Sequence, residues 1–148
     1  MGSDRAAIGW LNGDGQPLRD LHYEGVPAAA EQLPPLRRAL TRWSAAAGLG
    51  PEAVEAVGLA AYEAMANVVE HAYGEGGGVF ELQAVSMLRE SRVLVTVTDF
   101  GRWLPLRDGA DGRGRGLRLI RRLAHTSEVL ASHGGTTVHM TWSFRPGD

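Results

Sequence analysis

The sequence contains no cysteine and no lysine, and these two absences exclude several kinds of site. Without cysteine there is no disulfide bond, no thiolate metal ligand and no cysteine nucleophile. All fifteen basic residues are arginine, which also excludes a lysine-based phosphate loop and Schiff-base chemistry. No apolar run reaches the length of a membrane span or a signal-peptide core. We therefore expect a cytoplasmic protein without membrane attachment.

Length and charge set broad limits on the architecture and on the partners. A chain of 148 residues that is 44% hydrophobic is long enough for one domain with a real core. The net charge of −2 argues against an overall electrostatic grip on nucleic acid or on an anionic membrane. We expect one domain over residues 21–148, preceded by a flexible lead-in over residues 1–20 that is rich in glycine and polar residues.

The first half of the domain has helical periodicity. After a short strand near Leu21 to Val26, apolar residues recur at helical spacing from Pro34 onward, which predicts a helix over about residues 30 to 47. Gly48 and Gly50 end this helix. Pro51 suits the first turn of a second helix, and the run GEGGG from Gly74 ends it.

The second half changes to the period of two that is typical of strands. The segments VFELQAVSML and RVLVTVT predict a hairpin, and a short helix over about Leu117 to Ala124 precedes a second hairpin that ends with TTVHMTWSF. In that last segment four apolar residues alternate with polar ones, which predicts one buried face: Val138, Met140, Trp142 and Phe144. Helices followed by such strands predict an α/β fold, a two-layer sandwich of a mixed, largely antiparallel sheet with helices on one face.

Four polar residues form a narrow stripe on the second helix. On a helical wheel Glu63, Asn67 and Glu70 fall within about 60°, with His71 roughly 40° further on. The stripe is either a solvated face or a site in a cleft. No arginine occurs between Arg42 and Arg89 to form pairs with these acids, which favours the site. Glutamate and asparagine oxygens suit Mg²⁺, which usually binds together with phosphates.

Two further segments complement this stripe. GRGRGLRLI, from Gly112, opens a helix with three alternating glycines, where backbone amides can approach an anion; alternatively it is a flexible loop. Seven of the fifteen arginines lie from Arg102 to Arg122, so a metal-bound polyphosphate would suit both the acidic stripe and the basic segment. Asp99 ends a strand beside Gly101 and is either a turn residue or an acceptor for a ligand amino group.

In chain order, these motifs resemble those of the GHKL (histidine-kinase-like) ATPase superfamily. They are ExxxN with a histidine four residues on (Glu63, Asn67, His71), DxG (Asp99, Gly101), GxGxGL (Gly112, Gly114, Gly116, Leu117) and GT (Gly135, Thr136). The size of the chain and the phrase EAMANVVEHAY resemble the bacterial anti-sigma-factor serine-kinase branch, of the RsbW and SpoIIAB type. The resemblance implies the Bergerat ATPase fold from about residue 21 to the end.

The resemblance also implies a role for each matching residue. Glu63 would be the general base, and Asn67 would coordinate the Mg²⁺ that bridges the phosphates of ATP. Asp99 would bind the adenine amino group, with Gly101 admitting the ring and Thr136 supporting it. The glycine motif and its leucine would form the lid over the phosphates (Gly112, Gly114, Gly116, Leu117). Arg37 is similar to a family arginine on the partner-binding surface.

The resemblance implies a function, to which two alternatives remain. An ATP-dependent serine/threonine protein kinase would phosphorylate an anti-anti-sigma partner of the STAS type and would otherwise hold a sigma factor, as a homodimer formed through the first helix and strand. The first alternative is a nucleotide-sensing module that binds a regulatory partner without catalysis, and the second is a scaffold that has lost nucleotide binding. His71 we interpret as structural, Glu70 as tuning the metal site or pairing with an arginine, and Trp103 as packing in the core or over the nucleotide edge.

Overall fold

Five strands form one sheet in the computed structural model, which describes residues 18–87, 89–101 and 112–144. The strands are β1 (Leu21–Pro27), β2 (Val79–Met87), β3 (Arg92–Asp99), β4 (Thr126–Ser132) and β5 (Gly135–Ser143). Their order is β1-β2-β3-β5-β4, and each neighbouring pair is antiparallel. The two-layer α/β fold is confirmed, and all pairing among these five strands is antiparallel, without the parallel component of a mixed sheet.

One face of the sheet supplies the core. Alternate residues of the three central strands are buried, namely Phe80, Leu82 and Ala84 of β2, Val93, Val95 and Val97 of β3, and Val138, Met140 and Trp142 of β5. The intervening residues of β3 and β5 are only partly buried. This alternation is the pattern expected when one face of an antiparallel sheet packs against helices.

Three helices pack on that face. Helix α1 (Leu33–Ala47) follows a 3₁₀ turn at Ala30–Gln32 and ends at Gly48, whose φ of 107° belongs to the left-handed region. Helix α2 (Pro51–Asn67) begins with proline, as predicted, and contacts both α1 and α3 (Gly112–Leu123). It is therefore the central helix, which explains why so many of its residues are buried.

Two helix boundaries differ from the sequence predictions. The second helix does not run unchanged to Gly74, because α2 ends at Asn67 and a π-helical turn covers Val68–Ala72. The third helix begins at Gly112 and not near Leu117, because the glycine motif itself is helical. Helical periodicity gives no warning of a π turn, which depends on what packs against the helix end.

Some predictions fall on residues outside the described part of the chain. These are residues 1–17 of the lead-in, the segment RWLPLRDGAD over 102–111, and Trp103 within it. Leu18 packs against the core, and the Trp43 indole N–H donates to the Arg19 carbonyl at 2.7 Å, so the chain is attached to the fold before β1 begins. In the ranges that the structure covers, no helix combines the length and apolarity needed to cross a membrane.

Candidate functional site

Asn67 is the most buried member of the polar stripe. Its side chain is 3% exposed at the last residue of α2, and the amide nitrogen Nδ2 has no hydrogen-bond partner among the described residues. Leaving a buried amide group without a partner costs about 1–3 kcal/mol, so we expect this group to bind a water molecule, an ion or a ligand. Rotating the amide by about 180° exchanges its nitrogen and oxygen, so this position can offer either a donor or an acceptor.

The other members of the stripe lie on two elements and differ in exposure. Glu63 is half-buried one turn earlier on α2, about 6 Å along the axis. Glu70 lies in the π turn and its side chain is 64% exposed, whereas His71 is mostly buried, with its Nε2 3.6 Å from the Glu70 carboxylate. The π turn therefore divides the predicted stripe, because Glu63 and Asn67 remain on the α-helix while Glu70 points to solvent.

Asp99 and Thr136 are direct neighbours across β3 and β5. They are 1% and 5% exposed and belong to the same alternating set of positions as the core valines. The Gly101 N–H donates to Asp99 Oδ1 at 3.1 Å, so the carboxylate closes the turn that leaves β3. The turn interpretation of Asp99 is therefore confirmed, and its role as an acceptor for a ligand amino group stays a prediction.

Two glycines near Asp99 lie very close to the backbone of other segments. A Cβ atom at Gly135 would lie 2.0 Å from the Asp99 carbonyl oxygen, and one at Gly101 would lie 2.1 Å from the Ala72 carbonyl oxygen. Such distances are far inside van der Waals contact. The end of β3 is thus in contact with β5 on one side and with the end of the π turn on the other, five residues beyond Asn67.

Tyr73, to which the sequence analysis assigned no role, lies at this junction. Its hydroxyl donates to the Val79 carbonyl, and the Phe100 N–H donates to the hydroxyl at 2.9 Å. A Cβ at Gly78 would lie 2.3 Å from the ring. The signal was present in the sequence as an aromatic residue directly before the run GEGGG, which we interpreted only as a helix stop.

The glycine motif lies on a neighbouring element. Gly112, Gly114 and Gly116 occupy the first turns of α3, which packs against α2. Leu117 is partly buried against the core. The exposed side of the helix carries arginines with no ion pair among the described residues, namely Arg118, Arg121 and Arg122. A basic helix therefore packs beside the helix that carries Glu63 and Asn67.

Arg37 lies at the contact between α1 and α2. Its guanidinium carbon is 5.8 Å from the centroid of the Tyr62 ring, within the range of a cation–π interaction. A Cβ at Gly58 would lie 3.3 Å from Arg37 Nε, so this glycine allows the arginine to cross α2 closely. The structure thus places Arg37 in helix packing, half-buried, and the partner-binding role stays a prediction.

Comparison with solved structures identifies proteins of similar fold. The structure of the RsbU and RsbW domains of Rv1364c from Mycobacterium tuberculosis has a TM-score of 0.71 at 23% identity, covering 88% of this chain and 34% of that one. A chain in the structure of the SiaB–SiaC complex from Pseudomonas aeruginosa has a TM-score of 0.61 at 13% identity, and the match covers 95% of this chain and 95% of that one. The blue-light activated histidine kinase from Erythrobacter litoralis has a TM-score of 0.53 at 27% identity, and the match covers 63% of this chain and 31% of that one.

These likenesses differ in how much of each relative they cover. The chain spans about a third of the length of the Mycobacterium and Erythrobacter proteins, and nearly all of the Pseudomonas protein. The family comparison is more direct, since residues 26–142, from β1 into β5, match the histidine kinase-like ATPase domain. That match includes all four motifs and most of the described fold. The chain belongs to the histidine kinase-like ATPase domain family.

Proposed function

We propose that this chain is an ATP-binding anti-sigma regulator that transfers the γ-phosphoryl group of ATP to a serine or threonine of an anti-anti-sigma partner. Membership in a family of ATPase domains supports nucleotide binding as its basic activity. The observation that carries the proposal is the pair of buried polar groups, Asn67 and Asp99, on either side of the contact between Ala72 and Gly101. In this proposal the amide of Asn67 serves a metal ion, and the carboxylate of Asp99 serves the adenine base of the nucleotide.

The residues present fit Mg²⁺ at Asn67. The atom without a partner is the amide nitrogen Nδ2, and rotating the amide by about 180° would bring its oxygen, a hard ligand of the kind that Mg²⁺ prefers, to the same place. Asn67 would hold the ion together with the phosphates, and bound Mg²⁺ supplies neutralisation of the phosphate charge. The exposed arginines of α3 add positive potential near the same helix (Arg118, Arg121, Arg122).

The protein residues then have separate tasks in the transfer. Glu63, half-buried one turn before Asn67, would accept the proton of the attacking hydroxyl as general base. Asp99 would accept a hydrogen bond from the adenine amino group, beside Thr136. Gly112, Gly114, Gly116 and Leu117 would form the segment that closes over the phosphates. Phosphoryl transfer asks little more of a protein than such positioning and charge compensation.

The partner is inferred from the branch of the family. The anti-sigma type is supported by the motif pattern and by fold similarity to a protein with an RsbW domain and to the SiaB–SiaC complex. We therefore propose a STAS-type anti-anti-sigma substrate, a sigma factor as second partner, and Arg37 as part of the surface they share. A homodimer through α1 and β1 is consistent with β1 being an edge strand of the described sheet.

The test of catalysis is the variant Glu63→Gln, with Glu55→Gln as control. Glu55 is an exposed glutamate on the same helix. Labelled ATP with Mg²⁺ is incubated with each STAS-domain protein of the source organism, and nucleotide affinity is measured by calorimetry. We expect Glu63→Gln to keep its ATP affinity and to lose transfer by a factor of about 10²–10⁴, while Glu55→Gln retains both. Unchanged phosphoryl transfer by Glu63→Gln would show that Glu63 is not the general base.

The test of the adenine-binding role is the variant Asp99→Asn, and the control is Asp20→Asn, at an exposed position. Replacing the acceptor carboxylate should weaken ATP binding about 10-fold or more, because hydrogen bonds to charged groups are worth about 1.5–3 kcal/mol. If both variants bind ATP with equal affinity, Asp99 does not bind the adenine amino group. If the wild type binds ATP but transfers nothing to any STAS partner, the chain is instead a nucleotide-sensing binding module.

A further inference from the structure

The hydroxyl of Tyr73 connects three segments of the chain. Tyr73 follows directly after the π turn, its hydroxyl donates to the Val79 carbonyl at the start of β2, and it accepts the N–H of Phe100 at 2.9 Å just after β3. Val79 and Phe100 are backbone partners, so these contacts do not depend on the side chains there. One phenol therefore fixes the helix end against the ends of two neighbouring strands.

Two glycines leave room for this ring. A Cβ at Gly78 would lie 2.3–2.5 Å from three ring carbons of Tyr73, and a Cβ at Gly101 would lie 2.7 Å from one of them. Neither glycine has a positive φ, so backbone conformation does not require glycine at either place. The tyrosine ring occupies the space beside Gly78, and beside Gly101 it lies together with the Ala72 carbonyl, whose oxygen would be 2.1 Å from a Cβ.

Tyr73 acts on the same turn that holds the buried acid. Asp99 directly precedes Phe100, and the Asp99 carboxylate accepts the Gly101 N–H at 3.1 Å. The turn of Asp99, Phe100 and Gly101 is therefore held from within by Asp99 and from outside by Tyr73. On its other side Tyr73 directly follows the π turn, which begins after Asn67 and ends at Ala72.

We propose that Tyr73 is a positioning residue that sets the place of Asp99 relative to Asn67, and hence the discrimination between nucleotide bases. The inference rests on the proposed function, in which Asp99 reads the base and Asn67 serves the phosphates. An acceptor selects adenine only if it is held where the amino group arrives, since a mobile carboxylate makes a weaker and less directional hydrogen bond. Tyr73 touches no reacting group in this scheme and acts through Asp99.

The experiment compares the affinities for ATP and ITP, which has a carbonyl oxygen where adenine has its amino group. Calorimetry with Mg²⁺ gives the preference for ATP in the wild type, which we expect to be about 10-fold or more. Tyr73→Phe removes only the hydroxyl and should lower this preference by about 3-fold or more, the effect expected for the loss of one hydrogen bond. Tyr62→Phe is the control on α2, because its hydroxyl makes no hydrogen bond within the described residues.

A second variant tests the same position without altering the tyrosine. Gly78→Ala places a methyl group against the Tyr73 ring, whereas a Cβ at Gly74 meets nothing within 4 Å and neither glycine has a positive φ. We expect Gly78→Ala to lower the ATP preference as Tyr73→Phe does, and Gly74→Ala to leave it unchanged. Amide hydrogen exchange at Phe100 should become faster in both test variants and stay slow in both controls.

The outcomes separate this inference from the proposed function. If the wild type fails to bind ATP, both the proposed function and the inference are overturned. If the wild type prefers ATP and the preference stays the same in Tyr73→Phe and Gly78→Ala, while melting temperatures fall, Tyr73 is only structural and the inference alone is overturned. Loss of base preference in both, with unchanged preference in Tyr62→Phe and Gly74→Ala, supports it.

Discussion

Replacing Gly135 by alanine tests how closely β5 approaches the buried acid. Gly135 has a φ of 142°, and a Cβ there would lie 2.0 Å from the Asp99 carbonyl oxygen and 2.9 Å from the Phe100 Cα. Because the first distance is roughly 1.4 Å short of an ordinary contact, the ends of β3 and β5 must separate. Both atoms are backbone, so no side-chain rotation can relieve the overlap.

The expected cost follows from two contributions. Overpacking of this kind costs about 1–3 kcal/mol, and an alanine in a backbone region that side chains rarely adopt costs about 1–3 kcal/mol more. We expect a loss of roughly 2–6 kcal/mol in the free energy of unfolding, which for a chain of this size corresponds to a melting temperature lower by about 6–18 °C. Domains are commonly stable by about 5–15 kcal/mol, so a loss in the middle of the expected range leaves the variant folded.

The neighbouring Gly134 provides a matched control. It is exposed, its φ is not positive, and a Cβ there would meet only the Ser132 hydroxyl oxygen, at 3.9 Å. Urea denaturation followed by circular dichroism should place Gly134→Ala within about 0.5 kcal/mol of the wild type. If Gly135→Ala is as stable as Gly134→Ala, the conclusion that β5 at Gly135 closely contacts the Asp99 backbone is wrong.

Three further substitutions test the packing of the helices. Gly58→Ala should lower the free energy of unfolding by about 1 kcal/mol, because its Cβ would lie 2.8 Å from Thr41 Cγ2. Thr41→Ser removes that methyl group and should relieve the loss, which a double-mutant cycle measures. Trp142→Phe should lose about 1–2 kcal/mol in urea denaturation, since its indole N–H donates to the Leu123 carbonyl at 2.9 Å at the end of α3. Leu40→Ala should lose about 2–5 kcal/mol in the same assay, because Leu40 is fully buried.

The sequence predicted those features that depend on local periodicity. The alternation of Val138, Met140 and Trp142 predicted which face of β5 is buried, because successive strand residues point to opposite sides. Pro51 and Gly48 marked a helix start and a helix end through their backbone geometry. Each of these features depends on a few neighbouring residues, which explains why one sequence was enough to predict them.

The features that the sequence did not predict arise between distant segments. The π turn after Asn67 follows the same apolar pattern as an α-helix, and the helix end meets Gly101 only in the folded chain. The register that pairs Asp99 with Thr136 was likewise open, because a period of two does not say which residues of two strands are opposite. The candidate residues were therefore named from motifs, whereas their arrangement depends on tertiary contacts.

The glycines around Asp99 share a physical explanation that needs no ligand. Gly78 and Gly101 leave room for the Tyr73 ring, Gly101 also meets the Ala72 carbonyl, and Gly135 meets the Asp99 carbonyl. The family resemblance assigns Gly101 to admitting the nucleotide base, but protein atoms alone already require its missing side chain. Substitutions at Gly78 and Gly135 therefore move the buried acid without altering any residue proposed to contact the nucleotide. A change of nucleotide affinity in those variants would report the position of Asp99 itself.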